Sequence, residues 1–259
     1  MIDSNSVLQL SIPDWIKGAI LGAIIIPFIL YGMKYLIRFL RDSLPARKLL
    51  EGLAKNEERC IFWLRDAYQQ SGSHLLEVSQ RGVGSIPNVM KWWAEVDSKA
   101  VADVLNVLGS QGKSENIEFH LQSENRNEWD ANIVCIGAQF AQADLIFNEC
   151  ENVFYKIDNT NIIDVTKGQN IVMENDYRYG IIIKVKNLHK LKNPGVAFLI
   201  GGFGTMGTEA AGYYFRTHFK ELGKKFGKKC FGIVVRAKVA AGPQSVERIK
   251  EYDRYEQDC

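Results

Sequence analysis

The sequence predicts an α/β fold: a mostly parallel sheet with flanking helices, preceded by one N-terminal transmembrane helix. Three observations predict it. Short apolar runs such as ANIVCI (131–136) and VAFLI (196–200) alternate with amphipathic stretches, the pattern of buried parallel strands joined by helical crossovers. A glycine-rich run, 201–207, falls between one such strand and one such helix. Residues 18–33, GAILGAIIIPFILYGM, carry no charge and are apolar all round, unlike an amphipathic surface helix.

The elements follow in order. The uncharged run would make about 24 Å of helix at ~1.5 Å per residue, against a hydrocarbon core of about 30 Å. Snorkelling by Lys17 and Lys34 and extension through Tyr35–Ile37 close that gap. The expected span is 17–40, after a short tail, 1–16. Asp3 and Asp14 and the lack of a small-residue cleavage site argue against a signal peptide. Lys34, Arg38, Arg41, Arg47 and Lys48 follow the run and only Lys17 precedes it closely. The positive-inside rule then places the bulk of the chain in the cytoplasm and the N-terminus outside, at the inner membrane. Gly18 and Gly22 form a GxxxG step, which lets two helices approach and suggests a homo-oligomer.

Residues 41–85 read as a juxtamembrane helix (45–70) and a linker holding a short strand (74–78). The main domain is expected over 86–259: helix 97–108, strands 117–121 and 131–136, helix 141–150, strands 153–157 and 180–186, strand 196–200, helix 208–222, strand 230–236 and a terminal helix from 244. Residues 159–179 are polar and irregular and suggest a hairpin or a flap. Together these elements describe a Rossmann-like sheet.

The glycine run carries the chemistry. Gly202, Gly204 and Gly207 satisfy G-x-G-x-x-G between strand and helix, where backbone N–H groups and a helix N-terminus suit a phosphate. Gly201, Gly202, Gly204, Thr205, Gly207 and Thr208 are therefore candidate ligand-binding residues. Gly137, which follows strand 131–136, adds a second contact at the same sheet edge. The acidic residue expected about 20 positions later to take a ribose hydroxyl is missing, and the next strand ends in Arg236, a candidate for a further phosphate.

The residues Gly201-Gly202-Phe203-Gly204-Thr205 and Glu209 resemble the GGxGT…E loop of the LOG proteins and of the wider SLOG nucleotide-binding domains. The likeness covers about ten residues and the strand and helix around them. It implies a Rossmann-like core and a loop that holds a nucleotide phosphate, with Glu209 as the catalytic acid if the protein is a hydrolase. Three departures stand out: Ile200 replaces the leading proline, Glu209 comes one residue late with Thr208 in its place, and the upstream Arg-Lys pair is missing. A membrane helix ahead of such a domain also resembles bacterial anti-phage signalling effectors.

Composition narrows the classes. A net charge of +2 gives no signature of a nucleic-acid polymer as partner. The basic cluster Lys224, Lys225, Lys228 and Lys229 reads as a solvated turn, with attraction to anionic lipid or to a nucleotide ligand as the alternative. The four histidines are scattered without metal spacing, so neither a metal nor a cofactor is expected. Five widely spaced cysteines without a CxxC pair read as reduced thiols. The expected function is a membrane-anchored cytosolic sensor or effector that binds a nucleotide-like anion and couples binding to oligomer or membrane state. The alternatives are a LOG-like N-glycosidic hydrolase acting on a nucleotide or NAD, and a ligand-free interaction module tethered to the membrane.

Overall fold

The computed structural model describes residues 26–37, 40, 43–65, 95–124, 128–150, 153–158, 161–190 and 195–254. Two compact units divide the chain, Met1–Leu44 and Pro45–Cys259. In the first, residues 26–37 are helical, with Ile26, Phe28, Leu30, Tyr31 and Met33 all exposed. No helix among the described residues is long and apolar enough to cross a membrane. The expected transmembrane helix is therefore corrected: the described residues there hold only a helical stretch at 26–37 and no such span. Residues 18–25 of the uncharged run, with Gly18 and Gly22, lie outside the described residues.

The second unit is built on a seven-stranded sheet. Its helices are α1 (Leu44–Leu50), α2 (Glu95–Ser110), α3 (Ala141–Glu149) and α4 (Gly204–Phe226). Its strands are β1 (Cys60–Leu64), β2 (Ile117–Leu121), β3 (Asn132–Ile136), β7 (Tyr177–Asn187), β8 (Gly195–Gly202), β9 (Cys230–Lys238) and β10 (Glu247–Arg254). A separate three-stranded meander holds β4 (Tyr155–Asp158), β5 (Asn161–Asp164) and β6 (Gln169–Ile171). The order in the large sheet is β10-β9-β7-β8-β3-β1-β2.

The sheet is mixed, which corrects the mostly parallel expectation. β2, β1, β3 and β8 run parallel. β7 enters antiparallel between β8 and β9, and β10 is antiparallel to β9. The physical reason is that burial on both faces yields the same apolar run in either direction; GIIIKVK does not encode its own polarity.

Two further expectations give way. Residues 60–64, read as part of a helix, form β1, one strand in from edge strand β2 and buried throughout. A five-residue apolar run is compatible with either state, and pairing with β2 and β3 decides it. The terminal helix from 244 is a single 3-10 turn, Pro243–Ser245, followed by edge strand β10. The region 159–179 holds the antiparallel β5–β6 hairpin, the first of the two forms expected there, and the start of β7. The short strand expected at 74–78 falls outside the described residues.

Side chains alternate across the large sheet to make two cores. Phe62, Val134, Phe198 and Ile200 face α2 and α4 on one side. Trp63, Cys135, Leu199 and Ile183 face α3 and the meander on the other. Cys60, Cys135 and Cys150 are free buried thiols, and burial pushes the Cys60 and Cys150 thiols up to about 12.

This layout places one edge of the sheet at the centre of interest. α3 follows β3 onto one face, and α4 follows β8 onto the other. β3 and β8 are neighbours, so their crossovers diverge at this point. Crevices at such a switch, beyond the carboxyl ends of the strands, are where open α/β sheets take ligands.

Candidate functional site

Four of the glycines near this edge are there because nothing larger fits. A β-carbon on Gly201 would lie 2.6 Å from both the Ala138 β-carbon and the Gly137 carbonyl carbon. On Gly202 it would lie 2.3 Å from the Gly207 carbonyl carbon, and on Gly207 it would lie 2.2 Å from the Tyr179 carbonyl oxygen. Gly180 on β7 would meet the Gly207 oxygen at 2.4 Å. These residues let β7, β8 and the first turn of α4 close on one another. Phe203 N–H then donates to the Tyr179 carbonyl at 2.9 Å, and Gly137 N–H donates to the Ile200 carbonyl at 2.9 Å.

Gly204 is different. It has φ +59° and is exposed, and a β-carbon there would meet nothing within 4 Å. Packing does not explain this glycine; its conformation and the open space before it do. It starts α4, a 23-residue helix whose N-cap Phe203 gives no side-chain cap and whose first turn holds no acid. The first N–H groups of such a helix have no intrahelical partners, and the dipole favours an anion in front of them.

A cleft of about 290 Å3 opens at the same place. Phe203 and Gly204 form one wall, and Met173, Glu174, Asn175, Tyr177, Arg178 and Tyr179 form the rest. Glu174 N–H donates to the Tyr179 hydroxyl at 3.0 Å, fixing the segment that leads into β7. The Glu174 carboxylate accepts from Arg236 Nη1 at 2.6 Å, while Arg236 Nε donates to Glu247 at 2.7 Å. The guanidinium lies 4.2 Å from the centre of the Tyr177 ring. Glu247 raises the Arg236 pKa most, with the Tyr179 side chain next and the charge of Glu174 last. The cleft thus combines aromatic walls, a guanidinium at Arg178, and an uncapped helix N-terminus, the mixture of apolar lining and few polar groups that small-molecule sites share.

The sequence-predicted residues divide accordingly. Gly201, Gly202, Gly204, Gly207 and Gly137 all come to this edge, but among them only Gly204 lines the cleft. Thr205 is in the first turn of α4; its side chain is outside the described set. Thr208 is buried, 2% exposed, within the packed side of the helix. Arg236 stands behind Glu174 and Tyr177 instead of at the loop. Glu209 projects toward α2, where Lys99 Nζ approaches its carboxylate at 3.4 Å, and it does not line the cleft. Among the described residues no group of three or more His, Cys, Asp or Glu is arranged to hold a metal ion.

Sequence reasoning missed Glu174, Tyr177 and Arg178. The available signal was the Tyr-Arg-Tyr-Gly start of β7, three polar or aromatic residues ahead of an apolar run at a strand entrance. No family model, no curated protein and no solved structure matches the chain.

Proposed function

We propose that the unit Pro45–Cys259 binds a nucleotide-like anion, with a phosphate at the N-terminus of α4 and a base in the cleft between Phe203 and Tyr177. The observation that carries this reading is Gly204. It is the one glycine of the run that packing leaves unexplained, it adopts a left-handed conformation, and it opens onto the cleft. Arg178 adds a positive charge to the same wall. Phe203 and Tyr177 offer the aromatic faces on which a planar base stacks.

The protein acts as a sensor or effector, in which binding shifts an oligomeric or membrane-associated state. Support for binding without turnover comes from Glu209, the residue that the LOG-like reading would make catalytic. Its carboxylate is engaged by Lys99 and is turned toward α2. A nucleotide or NAD glycosidic hydrolase is the competing reading, and a ligand-free interaction module the third. Location at the cytoplasmic face of a membrane is proposed from sequence alone, from the uncharged run 18–33 and the basic residues after it.

The test is a calorimetric titration of the full chain with adenosine 5′-monophosphate, with chromatography of the same mixture after incubation. The sensor reading expects binding, intact nucleotide, and the same affinity in Glu209→Gln. Free adenine released by the wild type and abolished in Glu209→Gln would establish the hydrolase instead. Lack of binding by this and other nucleotides would leave the interaction module.

A further inference from the structure

On the far side of the glycine loop from the cleft, a carboxylate is buried with one oxygen unpartnered. α2 and α4 pack side by side and in the same direction: Lys99 pairs with Glu209 and Asp103 with Arg216, while Gly212 lies against Ala100. The first turn of α2 therefore stands at the same sheet edge as the first turns of α4. Asp97 lies there, 1% exposed. Its Oδ2 is 3.5 Å from Arg65 Nη2, just past the end of β1. Its Oδ1 is buried and accepts from no donor. Gln142 Oε1, in the first turn of α3 at the same edge, is likewise buried and unpartnered, with the residue 3% exposed. Burying a polar atom without a partner is costly, and an ionised carboxylate only accepts. Both atoms call for donors such as hydroxyls.

The strand order fixes where this point lies. The cleft sits over β7 and β8, and Arg65 extends β1; the order β7-β8-β3-β1 puts the glycine loop between them. Three strand spacings separate β7 from β1, about 14 Å at ~4.8 Å each. One nucleoside in the cleft with its phosphate at α4 does not cover that span. Two nucleosides joined through phosphate do, with the link at the helix N-terminus and a sugar on each side.

Resting on the nucleotide reading above, we propose that the ligand contains two nucleosides joined through phosphate, and that Asp97 Oδ1 accepts a hydrogen bond from a ribose hydroxyl of the second one. Asp97 then supplies, from α2, the sugar-binding acid that is missing after α4. Arg65 positions its other oxygen.

The experiment is calorimetric titration of the full chain, wild type, Asp97→Asn and Asp97→Ala, with adenosine 5′-monophosphate, diadenosine diphosphate and adenylyl-(3′→5′)-adenosine. The two dinucleotides distinguish a pyrophosphate link from a phosphodiester. In the wild type at least one dinucleotide should bind ten-fold or more tightly than the mononucleotide. Asp97→Ala should remove that advantage and leave mononucleotide affinity unchanged. Equal affinity for all three probes in the wild type overturns the proposal, whether or not the variants fold, and so does an advantage that survives in both variants. If no probe binds the wild type, the nucleotide reading itself has failed, and this inference with it.

Discussion

The Tyr179 carbonyl oxygen lies 2.2 Å from the point that a β-carbon on Gly207 would occupy. The first turn of α4 is thus pressed against the backbone of β7, with Gly202 beneath it. Gly204, between them in sequence, faces open space. One glycine motif therefore contains two kinds of glycine, and their substitutions separate packing from ligand binding.

Gly207→Ala should destabilise the protein by about 1–3 kcal/mol, the usual cost of overpacking where backbone must shift. Gly204→Asp should stay within about 1 kcal/mol of the wild type. Asp tolerates the left-handed region better than most residues, and its charge suits a helix N-terminus. Denaturant midpoints of the two variants check this. Equal losses would mean that Gly204 is a packing glycine too.

Arg236→Gln removes pairs to Glu174 and Glu247 and a stacked contact with Tyr177. The two acids are more than half exposed, so the stability loss should be small. The larger effect falls on binding. Glu174 loses its counter-charge beside the site of an anion, and adenosine 5′-monophosphate affinity should drop about five-fold, one charge repulsion of ~1 kcal/mol in water. Titration at low and high salt checks it, because the loss should shrink as salt screens the charge. A salt-independent loss would point to a collapsed cleft wall.

Asp164 ties the meander to edge strand β10. Its Oδ1 accepts from Thr166 Oγ1 at 2.6 Å and Thr166 N–H at 3.1 Å, and its Oδ2 accepts from the Tyr252 hydroxyl at 3.1 Å. Burial alone would raise this carboxyl, but these bonds and the Lys167 N–H hold it below the usual range. A lowered folded pKa means stability that is present above the unfolded value, about 3.9, and lost as pH falls through the folded one. Asp164→Ala should cost about 1–3 kcal/mol at neutral pH. The difference between wild type and variant should narrow below about pH 4. Denaturation midpoints at pH 6 and pH 3 check this; a difference that stays constant would contradict it.

The sequence was most legible where one face or both of an element are buried by neighbours of the same kind. The strand at 117–121 falls where the periodicity puts it, and α2, α3, β3, β8 and β9 agree to within a few residues. The glycine run lies between strand and helix as its spacing predicts. What the residues did not encode locally was pairing. CIFWL becomes β1 because β2 and β3 flank it, and ERIKEYDR becomes β10 because β9 offers it an edge. The direction of β7 is likewise a property of its neighbours. The candidate site was legible at Gly204 and illegible at Glu174 and Asp97, whose roles depend on elements distant in sequence. Gly201, Gly202 and Gly207 have the right residue type for reasons of packing.

The measurement that bears most directly on the account is calorimetric titration of adenosine 5′-monophosphate into the full chain, wild type beside Gly204→Asp and Gly204→Asn. Both variants keep a residue that tolerates φ +59°, but only one places a negative charge before the N–H groups of α4. The wild type should bind, Gly204→Asn should bind more weakly, and Gly204→Asp should lose at least ten-fold more, with all three proteins folded. Equal binding by the wild type and Gly204→Asp would contradict it, and the loop would then be a structural turn.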